Sequence, residues 1–110
     1  MVHMNFKQYF LESTSFNNLP DDPPYGFMVW PNGTFRIAPR WGDHERAAGG
    51  PGMVDRIIKQ GGVRVARPID GETELYYVGE IANPKPIAKK TAMDLANFYN
   101  HDIKFYGVRS

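Results

Sequence analysis

The feature that most constrains the fold is a hairpin signal within residues 25–48, YGFMVWPNGTFRIAPRWGDHERAA. A short apolar strand leads into Pro31-Asn32-Gly33, and Asn-Gly pairs tolerate the positive φ angles that tight hairpin turns need. A second apolar strand follows and ends at Pro39, which lacks an amide donor. Asp43 is placed to accept amide hydrogen bonds as the N-cap of a helix. The segment therefore predicts strands over 27–30 and 34–38 and a helix over 44–48.

The remainder of the chain carries further helix and strand patterns. Residues 5–12 space their aromatic side chains as a short helix does, and the DDPP run at 21–24 predicts an extended linker. Residues 53–60 predict a helix that Gly61-Gly62 ends. Strand patterns at 63–69 and 74–78 flank Asp70-Gly71, a second hairpin signal. Residues 87–99 have the apolar stripe of an amphipathic helix, and a last strand is predicted over 103–108.

This order of elements indicates an α+β fold in a single domain. Two hairpins and a terminal strand predict a mainly antiparallel sheet of about five strands, packed by two to three helices on one face. We expect residues 1–24 to form a short helix and a proline-rich linker, and residues 25–110 to form the α+β domain.

Composition narrows the classes of function. The 110 residues are 42% hydrophobic and carry a net charge of +1, so the whole molecule has no broad field that would attract nucleic acid. The absence of cysteine excludes disulfides, thiolate catalysis and cysteine-based zinc sites. Neither a bilayer-spanning run nor a secretory signal peptide is visible. We expect no membrane partner and no cofactor.

His44 is the first candidate for chemistry. A histidine in the first turn of a helix feels the positive end of the dipole, which favours the neutral form that acts as a base or ligand. No second histidine follows at the spacing of a zinc pair, so no metal site is predicted. His44 is either a buried histidine bonded to a loop or the base of a small hydrolase or transferase, and no residue is assigned as catalytic.

A group of basic and aromatic side chains is the second candidate. Arg36, Arg40, Arg64 and Arg67 lie on or beside predicted strands, and Trp30 and Trp41 are close in sequence. If the two hairpins are neighbours, the arginines line one sheet face, where they can bind phosphates and the aromatics can stack bases. The alternative is a solvated outer face. The predicted interaction surface comprises Trp30, Arg36, Arg40, Trp41, His44, Arg64 and Arg67.

Two segments resemble proteins of tailed bacteriophages. Residues 26–47 resemble a motif of small phage accessory proteins, an aromatic strand followed by Pro-Asn-Gly and Phe and then Gly-x-His-Glu and alanine. Its positions here are Pro31, Asn32, Gly33, Phe35, Gly42, His44, Glu45 and Ala47. Residues 62–65 resemble the strand that follows. Residues 4–13, MNFKQYFLES, resemble the leader of internal head proteins of T-even-like phages, although Phe10 stands where an aliphatic residue precedes their cleavage site.

The resemblance implies a small accessory protein and carries no catalytic role. Aromatic and arginine side chains commonly anchor protein interfaces. We therefore expect a non-enzymatic binding module for a host or virion protein, located in the host cytoplasm or in the virion. Nucleic-acid binding through the arginine-bearing sheet face and catalysis through His44 are the alternative functions.

Overall fold

A computed structural model describes residues 15–40, 43–66, 76–79, 84–99 and 103–105. The first described element is a 3₁₀ turn at Phe16–Asn18. The strands among the described residues are β1 (Gly26–Val29), β2 (Phe35–Ala38), β3 (Val63–Ala66), β4 (Tyr76–Gly79) and β5 (Ile103–Phe105). The helices of the described residues are α1 (His44–Ala48), α2 (Met53–Lys59) and α3 (Pro86–Phe98). The predicted helix over 5–12 lies outside the described residues.

The centre of the sheet is antiparallel, with β1 between β2 and β3. Phe27 faces Ile37 on one side and Val65 on the other. Beyond β3 the order continues as β2-β1-β3-β4-β5, in which β4 is antiparallel to β3 and β5 is parallel to β4. The predicted α+β single domain, an antiparallel sheet packed by helices, is confirmed.

The hairpin between β1 and β2 forms where the sequence places it. The Trp30 amide donates to the Thr34 carbonyl at 2.8 Å, and the Gly33 amide donates to the Trp30 carbonyl at 2.9 Å. The Asn32 side-chain oxygen accepts bonds from both the amide and the hydroxyl of Thr34. Asn32 and Gly33 thus supply the bonding and the positive φ that the turn requires.

Helices α1 and α2 follow the predicted pattern, and one detail of the prediction is wrong. Asp43 occupies the N-cap position of α1 but makes no capping bond to the helix. Its carboxylate instead accepts the Arg40 amide at 3.2 Å, which closes the turn before the helix. The stop after α2 is as predicted: Gly61 adopts a φ of +103°, and the Gly62 amide donates to the Ile57 carbonyl.

The predicted placement of all helices on one face of the sheet is wrong, because the sheet is covered on both faces. One core contains Phe27, Val29 and Val65 together with Leu95 and the small residues of α3. The other contains Met28 and Ala38 together with Ala47 and Ile57 of the α1–α2 pair. Consecutive strand residues point to opposite faces of the sheet. The side chains of the continuous apolar run in β1 are therefore buried on both faces.

The segment before β1 packs onto the α3 face. The Phe16 ring lies edge-on to Phe35 with centroids 5.3 Å apart, and Leu19 contacts the same core. The Tyr99 hydroxyl donates to the Pro20 carbonyl at 2.7 Å. Residues 16–20 are therefore tied to the globular fold, although the predicted domain boundary at residue 24 stays a prediction.

Candidate interaction surface

Two of the predicted arginines lie in one row across the sheet. Arg36 on β2 and Arg64 on β3 are the cross-strand neighbours of Met28, one on each side. Met28 is fully buried beneath the α1–α2 pair, and both arginines are half-buried beside it. The sheet thus brings Arg36 and Arg64 onto a common face, as predicted, but the helices cover much of that face.

Arg36 is held between Trp30 and helix α1. Its guanidinium carbon lies 4.7 Å from the centre of the Trp30 ring, within the range of a cation–π interaction. One terminal nitrogen donates to the Ala47 carbonyl at 3.3 Å. Burial lowers the pKa of the Arg36 guanidinium. The hairpin and α1 therefore fix an arginine over a tryptophan ring at the boundary between core and solvent.

The Nε–H groups of Arg36 and Arg64 are buried without an acceptor in the described part of the chain. An unpaired buried donor costs about 1–3 kcal/mol. Both arginines flank Met28. Their aliphatic stems pack along the sheet in addition to carrying charge at their ends.

His44 fits into a slot that the lack of a side chain at Gly26 creates. The imidazole Nε2 lies 2.9 Å from the Val65 carbonyl oxygen, and its ring packs edge-on against Tyr25 at 6.0 Å between centroids. A Cβ on Gly26 would overlap the Val65 carbonyl oxygen and lie 2.8 Å from His44 Nε2. Because a carbonyl only accepts, Nε2 carries the proton and His44 pins α1 to β3.

The surroundings of His44 favour its neutral form. Burial lowers the pKa of His44, the bond to the Val65 carbonyl opposes that shift, and the Arg64 charge lowers the pKa further. Burial also raises the pKa of the Tyr25 phenol, which the Arg64 charge partly offsets. With Nε2 engaged, only Nδ1 of His44 remains as a proton acceptor. No group of three or more metal-ligating side chains occurs among the described residues.

The other predicted surface residues are dispersed. Arg40 is exposed directly after Pro39, with its amide held by Asp43. Trp30 is half-buried and contacts the α1–α2 core. Trp41 and Arg67 lie outside the described residues. Of the predicted surface, the structure therefore joins Trp30 to Arg36 and places Arg64 across Met28 from Arg36.

Sequence reasoning missed the exposed parts of α2 and α3. Lysines 59, 85, 89 and 90 are exposed, and so are the apolar side chains of Ile87, Met93 and Phe98. The available signal was the spacing of Lys85, Lys89 and Lys90 around the start of a predicted amphipathic helix.

The fold and this surface define a small α+β domain with an arginine–tryptophan pair and a buried histidine. No family model, curated protein or solved structure matches the chain. Within the described ranges, every helix is too short or too polar to cross a membrane.

Proposed function

We propose that this chain is a small, phage-type accessory protein that acts as a non-enzymatic binding module for a host or virion protein. The observation that carries the proposal is the stack of Arg36 on Trp30. Both side chains are half-buried, so each keeps a part that a partner can cover. Tryptophan and arginine are the residues most enriched among interface hot spots.

The stack is organised before any partner arrives. The Ala47 carbonyl and the Trp30 ring already hold the Arg36 side chain, so most of its rotamer freedom is lost when the protein folds. A side chain fixed in this way loses less conformational entropy on binding, which improves affinity.

The phage-type motif supports the proposal through the parts of the fold that it builds. Asn32 and Gly33 close the hairpin that presents Trp30, and Ala47 supplies the carbonyl that holds Arg36. His44 fastens α1, which bears Ala47, to the sheet. Four motif residues, Asn32, Gly33, His44 and Ala47, therefore serve one surface, whereas Phe35 packs in the core under α3.

The two alternative functions have less support. Nucleic-acid binding needs arginines on an open sheet face, whereas α1 and α2 cover the face that bears Arg36 and Arg64. Catalysis by His44 needs an accessible imidazole, whereas its ring is 8% exposed and bonded to Val65.

The test is affinity capture from nuclease-treated host lysate and from virions, followed by titration of the purified partner against variants. Arg36→Lys keeps the charge but loses the planar stack, so we expect binding to weaken about tenfold. Arg46→Lys makes the same chemical change at an exposed residue of α1 and is the matched control, with an expected change within about twofold. Equal affinity of the two variants, or capture of no specific protein, contradicts the proposal.

A further inference from the structure

The fold brings basic side chains from two distant parts of the chain to one corner, where α2 ends and α3 begins. The Lys85 amide donates to the Gly61 carbonyl at 2.8 Å. The Lys85 side chain lies against Gly61, where an added Cβ would be 2.6 Å from its Cγ. Lys59 precedes Gly61 by two residues and is exposed. We define the basic corner as Arg56, Lys59, Lys85, Ile87, Lys89 and Lys90, all exposed.

Positive charge is concentrated at the basic corner. The last turn of α2 carries Arg56 and Lys59, and the first turn of α3 contains no acidic residue. Lys90 pairs with Asp94 at 2.7 Å, and Asp94 is the one carboxylate of α3. Helix α2, Lys85 and helix α3 together carry five cations and two carboxylates, Asp55 and Asp94, in a chain whose net charge is only +1.

The lysines at the start of α3 are unfavourable for that helix, whereas Arg56 and Lys59 suit the end of α2. Lys85 is the N-cap of α3 with an extended backbone, φ −66° and ψ 143°, and makes no capping bond with its side chain. Serine or aspartate at this position would cap the helix, and cations near a helix N-terminus oppose its dipole. Local choices that oppose the fold are expected at functional surfaces.

An exposed apolar side chain belongs to the same first turn of α3 as the lysines. Ile87 is 50% exposed, and its side chain borders Gly33 of the β1–β2 turn, where an added Cβ would lie 2.8 Å from Ile87 Cγ1. An apolar centre with a charged rim is the arrangement of protein–protein interfaces, whereas a phosphate backbone offers nothing apolar to cover Ile87. We propose that the basic corner is a second binding surface, which takes an acidic segment of a partner protein with an aliphatic or aromatic residue over Ile87. Trp30 and Arg36 are not members of this surface, although Ile87 borders Gly33 in the turn that follows Trp30.

The test is an NMR titration of the ¹⁵N-labelled full chain with three probes. These are a short peptide of glutamates with interspersed leucines, the same peptide with serine for leucine, and a short DNA duplex. We expect the leucine peptide to shift the amide signals of Lys59, Lys85 and Ile87, with affinity that falls as salt rises. The serine peptide and the duplex should bind more weakly.

Charge-matched variants locate the binding. Lys59→Gln/Lys85→Gln should weaken the leucine peptide severalfold, because exposed ion pairs each contribute a small factor. Arg40→Gln/Arg46→Gln removes the same net charge elsewhere and should leave the affinity unchanged. Ile87→Ser should reduce binding of the leucine peptide only. All of these positions are exposed, and thermal unfolding verifies that the variants fold.

Four results would overturn the proposal: no shifts, shifts centred away from the corner, equal losses in the two charge variants, or tighter binding of the duplex at the same lysines. None of these results depends on Trp30 or Arg36. The failure of the corner and the failure of the proposed function are therefore distinguishable.

Discussion

Replacing Gly26 by alanine should destabilise the protein by removing His44 from its slot. The backbone at Gly26 is not in the left-handed region, so the glycine is required by space alone. The new Cβ would overlap the Val65 carbonyl oxygen and lie 2.8 Å from His44 Nε2 and 2.9 Å from Cε1. Relieving these contacts requires a shift of both the β3 backbone and the imidazole ring.

The expected cost has two parts. Overpacking of a buried site typically costs about 1–3 kcal/mol. Loss of the hydrogen bond from His44 to the Val65 carbonyl adds about 1 kcal/mol. A total of about 2–4 kcal/mol corresponds to a fall in Tm of roughly 10–20 °C for a domain of this size. Urea unfolding followed by circular dichroism measures the free energy of unfolding directly.

A double-mutant cycle with His44→Ala isolates the contact between the two residues. Without the imidazole ring, the Cβ at position 26 has only the Val65 carbonyl to displace, so the double variant should be more stable than the sum of the single losses predicts, by about 1 kcal/mol. Losses that add within about 0.5 kcal/mol would refute a shared slot. So would a Gly26→Ala variant as stable as the wild type.

Three further predictions concern pH, the start of α3 and its packing. The pKa of His44 is lower in the folded state than its unfolded value of about 6.5. The contribution of neutral His44 to stability is therefore complete above about pH 6.5 and declines as the pH falls from there towards the folded-state pKa. Urea midpoints measured against pH should show a steeper loss for the wild type than for His44→Gln. Lys85→Ser should raise the free energy of unfolding by about 0.5–1 kcal/mol, measured in urea, because serine caps the helix. No gain would show that the packing of the Lys85 side chain on Gly61 stabilises the protein more than a serine cap does. Leu95→Ala should cost about 2–5 kcal/mol in the same assay, whereas Met93→Ala on the exposed side of α3 should change stability by less than about 0.5 kcal/mol, and similar losses would contradict the assigned faces.

Local patterns predicted most of the elements because the responsible interactions are short in range. The turn at Asn32 and Gly33, the stop at Gly61 and the stripe of α3 each depend on residues within a few positions of one another. The cap of α1 is the exception. The Asp43 carboxylate could accept either the amides of α1 or the amide of Arg40. Only the path of the chain around Pro39 decides which of them it binds.

The candidate site could be predicted only in part. The sequence places Arg36 and Arg64 on strands of two different hairpins. Only the pairing of β1 with β3 aligns both arginines with Met28. The slot for His44 depends on Gly26 and Val65, which lie 18 residues before and 21 residues after it in the chain. No spacing rule connects residues so far apart.

The sequence by itself determined the α+β class, the turn at Asn32-Gly33 and the limits of the main helices, because φ preferences and hydrophobic periodicity act within a few residues. The tertiary structure alone decided that the sheet is covered on both faces, that Arg36 lies on Trp30, that His44 is a pin between α1 and β3, and that Lys85 lies against Gly61. A period of two shows that neighbouring strand residues point in opposite directions. It does not show which element will cover each face, because that depends on how distant segments pack together.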